Sequence, residues 1–163
     1  NVSGKEYVGG LVGGMYDGTG PTIRNCYALG SATGTGRWVG GLVGMSNYTQ
    51  LSNCYATGAA SGTSYIGGLI GDAMPTTTSL VLNCYSVGYV TGTSNTGGLL
   101  GRNAHTVTSS YWDTQTSGQA TSYGGVGKTT IEMKDINTFT DWNFTTVWNL
   151  PANSYPVLIL PPV

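Results

Sequence analysis

Residues 53–71 read NCYATGAASGTSYIGGLIG, and close copies stand at 25–44 (NCYALGSATGTGRWVGGLVG) and 83–101 (NCYSVGYVTGTSNTGGLLG). Internal repetition of this kind is the signature of solenoids, in which each repeat buries its apolar face against its neighbours. Alignment on the cysteine puts Cys26, Cys54 and Cys84 in one column, 28 and 30 residues apart, with Ser110 in that column 26 residues later. From this column to the next Gly-Gly pair (Gly40-Gly41, Gly67-Gly68, Gly97-Gly98 and a degraded Gly124-Gly125) the count is 14, 13, 13 and 14. From each pair, beginning with Gly9-Gly10, to the next cysteine column it is 17, 14, 17 and 13. One half of the unit keeps its length while the other absorbs insertions such as 74–78. Regular rungs with loops on one side behave in this way.

The units read as strands. Val8, Val39 and Ile66 precede the glycine pairs and aliphatic pairs follow them, while only the segment after Lys128 has helix grammar. The expected fold is all-β: a parallel β-solenoid (β-helix) of about four to five coils over 1–127. A C-terminal cap over 128–163, aromatic-rich and with a short helix and a terminal strand at 157–160, closes it. Equivalent residues of successive coils then form ladders. Tyr27, Tyr55, Tyr85 and Tyr111 make an aromatic column, and Asn25, Asn53 and Asn83 an amide column suited to a left-handed corner. Leu11, Leu42, Leu69, Leu99 and Val126 make an aliphatic column, and Thr35, Thr63 and Thr93 a hydroxyl column beside Thr33, Ser61, Thr91 and Ser117. Gly4, Gly34, Gly62, Gly92 and Gly118 mark a turn expected to need positive φ. Adjacent strand residues point to opposite faces, so one member of each Leu-Val pair is expected to look outward, unless the pair straddles a corner.

Composition removes several classes. Charged residues are 8% of the 163, against roughly 25% in an average domain, and glycine reaches 27 residues. A net charge of −1 provides no field for nucleic acid or an anionic membrane. No apolar run reaches the ~20 residues that span a bilayer. The longest, 157–160, is stopped by Pro161-Pro162. Low charge with abundant Thr, Ser, Asn and Gly fits a secreted or cell-surface location. The chain starts at Asn1 and not Met, as a processed product or an excised piece would.

Each candidate chemistry has a structural counterpart. Three thiols cannot pair completely, and stacked in register their Cβ atoms stand too far apart for a disulfide. Thiolate metal sites need close ligand spacing, so inert buried thiols are expected, and no cofactor. Residues 124–129 (GGVGKT) resemble a phosphate loop, but Ser122 stands where that pattern needs glycine. Thr129 and Glu132 instead form a capping box for a helix near 130–136. Glu6, Asp17, Asp72, Asp113, Glu132, Asp135 and Asp141 share no repeat column, whereas glycoside hydrolysis needs two facing carboxylates. His105, the single histidine, reads as a loop residue and not as part of a Ser-His-Asp set. Residues 17–20 (DGTG) read as a turn, one carboxylate being too few for calcium. The threonine rank is short for an ice-binding face. Asn1, Asn47 and Asn143 sit in glycosylation sequons.

The Gly-Gly-Leu-Val-Gly core with Asn-Cys-Tyr-Ala-x-Gly resembles the GLUG repeat of secreted bacterial and archaeal surface proteins. The ending is similar to the segment that closes such arrays, through 111–118 (YWDTQTSG), 127–130 (GKTT), 132–134 (EMK), Trp142, Trp148 and 155–158 (YPVL). The resemblance implies a non-enzymatic surface or adhesive module and carries over no catalytic residue. The cap is expected to cover the last coil. The N-terminal coil has no such cover, so its strand edges should recruit further repeats of a longer chain or a second copy. The functional expectation is a structural or adhesive module that self-associates into an extracellular fibre through its ends or lateral faces. The alternatives are an adhesin that binds glycan or protein through exposed aromatics, and a solenoid carbohydrate-active enzyme.

Overall fold

The structure, a computed structural model, describes residues 1–16, 21–47, 50–74, 79–103 and 106–160. Short strands repeat in the same order around each turn and pair only with their equivalents above and below, always in parallel. The result is a β-solenoid of about four coils with five sheets around its girth. The first sheet holds Val2–Gly4, Ala32–Gly34, Ala60–Ser61 and Val90–Thr91, and the second Val8–Gly9, Arg37–Gly40, Ser64–Gly67 and Ser94–Gly97. The third is Val12–Met15, Val43–Ser46, Ile70–Ala73 and Leu100–Asn103, and the fourth Thr22–Arg24, Gln50–Ser52, Leu80–Leu82 and Thr106–Thr108. The fifth is Tyr27–Ala28, Tyr55–Ala56, Tyr85–Ser86, Tyr111–Asp113 and Val126–Lys128.

The glycines set the cross-section. A Cβ on the first glycine of each pair would run into a carbonyl three residues on: Val12 for Gly9, Val43 for Gly40, Ile70 for Gly67, Leu100 for Gly97. A Cβ on the second would strike the inward side chain of the fifth sheet, which is Ala28, Ala56, Ser86 and finally Trp112. The backbone therefore pinches the coil at a waist. On one side lie Val8, Ala32, Val39, Ala60, Ile66 and Val90, and on the other Leu42, Val43, Leu51, Leu69, Ile70, Val81, Leu99 and Leu100. These glycines are kept for space. Among Gly4, Gly34, Gly62, Gly92 and Gly118 only Gly118 has positive φ, at 67°, which corrects the turn expected there.

The same arc settles the aliphatic pairs. Leu42 and Val43, Leu69 and Ile70, and Leu99 and Leu100 are all wholly buried, so neither column looks outward. The pair straddles a corner, and the bend turns both side chains in. Val126 leaves the leucine column: it pairs with Tyr111 in the fifth sheet, because the chain at 119–123 takes a shortened path over the last coil.

Coil length varies mainly at one place, the other half of the unit changing by a single residue. Between the third and fourth sheets the chain spends residues 16–21, 47–49, 74–79 and 104–105. Those 6, 3, 6 and 2 residues account for the whole spread of 17, 14, 17 and 13 counted in the sequence.

The helices differ from expectation. The single α-helix among the described residues is Thr114–Ser117, capped by Asp113. The segment near 130–136 is two short 3₁₀ turns, Glu132–Lys134 and Ile136–Thr138. The capping box is present, with Thr129 N donating to Glu132 Oε2 at 2.8 Å and Glu132 N to Thr129 Oγ1 at 3.3 Å. It opens one turn only, because the Asp135 carboxylate accepts from Asn137 N and starts a second. The terminal strand is Val157–Leu158, antiparallel to Trp148–Asn149.

Candidate functional site

The cysteine column is a set of identical structural bonds. Cys26 Sγ donates to Arg24 O, Cys54 Sγ to Ser52 O and Cys84 Sγ to Leu82 O, each at 3.2 Å. Ser110 Oγ does the same to Thr108 O at 2.8 Å and also accepts from Cys84 N. All three thiols are free. Burial pushes the Cys26 and Cys84 thiols up, away from the reactive thiolate. Beside them Asn25, Asn53 and Asn83 hold φ of 54°, 52° and 52°, and Ser109 takes the corner in the fourth coil at 43°. Asn53 Nδ2 donates to Asn25 Oδ1 at 3.1 Å.

The tyrosine column is stacked and then covered. Tyr27 and Tyr55 lie 5.1 Å apart and Tyr55 and Tyr85 5.0 Å, within 9° of parallel. The C-terminal segment lies along this side of the solenoid and not over its end: Met133, Phe139, Trp142, Trp148 and Leu158 bury Tyr55, Tyr85 and Tyr111. Tyr111 keeps the backbone register with Tyr85, and its ring meets Phe139 edge-on at 5.5 Å. Trp142 Nε1 donates to Ser109 O, and Tyr85 Oη to Pro156 O. Buried Asp113 fastens the segment, accepting from Gln115 N, Thr116 N, Thr130 Oγ1 and Tyr155 Oη at 2.7–3.0 Å. Burial by itself would raise this carboxyl, but the four hydrogen bonds outweigh it and hold it below the usual aspartate range.

A second aromatic column escaped the sequence reading. Tyr7, Trp38 and Tyr65 occupy left-handed corners of the second sheet, at φ 56°, 65° and 59°, with Asn95 at 50° in the fourth coil. Their rings stack at 4.4 and 6.4 Å. Arg37 lies over Trp38 at 4.1 Å, and Arg102, held by two bonds to buried Asp72 (2.8 and 2.6 Å), lies over Tyr65 at 4.7 Å. Tyr16 closes the other end against Tyr7 at 5.6 Å. Ring faces in this column are thus occupied by ring or guanidinium. The signal was legible as a residue two places before each glycine pair, aromatic in three coils.

Two further acids, Glu6 and Glu132, also serve local bonds. Glu6 meets Arg37 at 3.5 Å, and Glu132 bonds Thr129 and Lys128. Among the described residues no three of His, Cys, Asp and Glu converge as metal ligands. The Asn1 amide oxygen accepts from Ser31 N, and Asn143 caps its own turn at Thr145 N and Thr146 N. His105, the turn at 17–20, and Tyr48 and Thr49 of the Asn47 sequon lie outside the described residues.

The two ends of the coil differ. At the C-terminal end Trp112 takes the place of Ala28, Ala56 and Ser86 and fills the mouth at 6% exposure. Side chains replace the missing strand: Ser122 Oγ accepts from Leu99 N and Leu100 N, and Gln119 Nε2 donates to Val90 O. At the N-terminal end the columns stop in solvent. Val2 is 42% exposed, Leu11 49% and Tyr27 38%, while their equivalents in the next two coils are at most 5% exposed.

Stacked parallel coils around a waist of glycine, with side-chain ladders in register, define this chain as a repeat-built β-solenoid. Residues 4–33 match the GLUG motif family. The chain is 35% identical over 146 residues, 86% of its length, to a protein of Evansella cellulosilytica provisionally named a Gly-rich membrane protein, of which it spans 14%. The structure is similar to a crystal structure from Bacteroides ovatus of a protein provisionally named an immunoglobulin A1 protease. The TM-score is 0.69 and the identity 25%, over 96% of this chain and 54% of that one. No helix among the described residues is long and apolar enough to cross a membrane.

Proposed function

We propose that this chain is a non-enzymatic structural module of a secreted or cell-surface protein. One observation carries the reading: the repeated cysteines and the buried carboxylates are spent on bonds within the fold itself. The cysteine column bonds its own backbone, and Asp72 and Asp113, the buried carboxylates, bind an arginine across coils and the C-terminal segment. The name of the Evansella relative supports placement in a membrane-associated protein, with this solenoid outside the bilayer. Immunoglobulin A1 and a panel of polysaccharides incubated with the purified chain are expected to remain intact. Cleavage of any of them would overturn the reading. Antibody against the chain should label intact cells that carry the parent protein, and protease shaving should remove the label.

A glycan-binding role is the second reading. A shallow hollow of about 390 Å³ is lined by Asn95, Thr96, Thr121, Ser122 and Tyr123, all uncharged, with the Tyr123 ring half exposed. An aromatic face beside hydroxyls and an amide suits a neutral sugar. Binding on a glycan array that Tyr123→Ala abolishes would establish it.

A further inference from the structure

The two oxygens of the buried Asp113 carboxylate have different surroundings. Oδ1 is taken by the helix it caps, accepting from Gln115 N at 2.8 Å and Thr116 N at 3.0 Å. Oδ2 faces two hydroxyls, Thr130 Oγ1 at 2.7 Å and Tyr155 Oη at 2.8 Å. Thr130 also donates its backbone N–H to the side-chain carbonyl of Gln115, Oε1, at 2.8 Å. One residue thus presents its hydroxyl to a carboxylate and its N–H to the carbonyl oxygen of a neighbouring amide. A hydroxyl nucleophile, a base and a donor for an oxyanion are gathered at the Gln115 amide. Both arms are fixed by the fold. Asp113 pairs with Lys128 in the fifth sheet, Thr114 Oγ1 donates to Lys128 O at 3.1 Å, and Gln115 sits in the first turn of the helix that Asp113 caps. At Thr96 the arrangement is different: its hydroxyl donates to the Gln119 amide oxygen itself, at 3.0 Å, and so has no proton left for a base.

We propose that Thr130 and Gln115 join in an intramolecular ester, Thr130 Oγ1 bonded to Gln115 Cδ, with release of ammonia. Thr130 Oγ1 attacks Cδ while its proton passes to Asp113 Oδ2. Negative charge gathers on Gln115 Oε1, where the Thr130 N–H already points. The Cδ–Nε2 bond then breaks, and the proton held by Asp113 leaves with the nitrogen. A hydroxyl and a primary amide become an ester and NH3, nothing is oxidised or reduced, and Asp113 ends as the carboxylate it was. Its hydrogen bonds make Asp113 a weak base, which slows the step, but each molecule needs it once. Fixed geometry supplies the effective concentration that makes so poor an electrophile as an amide accessible to a hydroxyl. Gln115 is exposed, so ammonia departs into solvent. The bond ties the last coil, through its capped helix, to the first residues of the C-terminal segment. That segment then stays attached at Thr130 even when its hydrogen bonds open.

The test is the intact mass of the folded chain, followed at neutral pH over days. It should fall by one ammonia below the mass of the sequence. Trypsin cuts after Arg102, Lys128 and Lys134, so peptides 103–128 and 129–134 should be recovered joined. Hydroxylamine, which under mild conditions cleaves esters and spares amides, should separate them and leave a hydroxamate at Gln115. Thr130→Val removes the nucleophile and keeps the N–H, and Asp113→Asn removes the base; both should keep their full mass. Thr130→Ser, which restores a hydroxyl at the same place, should again lose ammonia. A parent chain that keeps its full mass while folded would overturn the proposal. So would a loss of ammonia that persists in Thr130→Val, or conversion of Gln115 to glutamate without joined peptides, since water and not Thr130 would then be the nucleophile.

Discussion

Leu11 and Leu69 hold the same position of the repeat, yet one is half exposed and the other wholly enclosed. Leu69→Ala should cost about 2–5 kcal/mol, and Leu11→Ala about 1 kcal/mol or less, by urea denaturation. Gly67→Ala should cost about 3 kcal/mol or more, because the new methyl falls on the Ile70 carbonyl, which the turn cannot move. Cys84→Ser should cost about 1 kcal/mol or less, since Ser110 already makes the same bond to the backbone two residues earlier. A thiol reagent should modify Cys26 in the native protein, and Cys54 and Cys84 only on unfolding. At this scale the sequence was readable wherever the repeat substitutes like for like, as serine does for cysteine. It misled at Tyr7, Trp38 and Tyr65. Bulky residues are poor in the left-handed region, so propensity pointed to the glycines, whose actual constraint is the space a Cβ would need.

At the scale of elements, the C-terminal segment is a lateral clamp. Its aromatic bulk was plain in the sequence, but bulk does not say which surface needs covering. That surface is the outward tyrosine column, where without the clamp the rings of Tyr55, Tyr85 and Tyr111 would stand in water. Asp113 ties coil, helix and clamp together. Asp113→Ala should cost about 3 kcal/mol, and limited proteolysis should then release the segment beyond Lys128. The carboxyl is held below its ordinary value in the folded state, so its contribution is complete at neutral pH. It is lost as pH falls below the ordinary aspartate value of roughly 3.9 and through the lowered folded one. Thermal melts of Asp113→Asn should therefore lose less stability than the parent between neutral and acid pH. The helix grammar after Lys128 was sound in its first turn, where the capping box forms, and failed in the next, where Asp135 restarts the chain.

For the whole molecule, stability should behave as a sum over neighbouring coils, with the closed end the more stable. Trp112→Ala empties the mouth of the last coil and should cost about 3–5 kcal/mol, read by chemical denaturation. Hydrogen exchange should be fastest in 2–28 and slowest in the middle coils around 51–87. Fold class and coil number followed from one spacing in the sequence. The inequality of the ends did not, because it depends on where the chain crosses the last coil between Ser110 and Lys128, a path the repeat no longer dictates.

The corner where coil length varies most leaves its flanks untouched. Its anchoring residues stay in register from coil to coil, Met15 with Ser46, Ser46 with Ala73 and Ala73 with Asn103 on one flank, and Thr22, Gln50, Leu80 and Thr106 on the other. Four sites of free length are thus aligned in one row along the axis. A lineage can rewrite that row, or an engineer graft four different peptides onto it, without retuning a single ladder: what the protein shows its surroundings and what keeps it folded are under separate control.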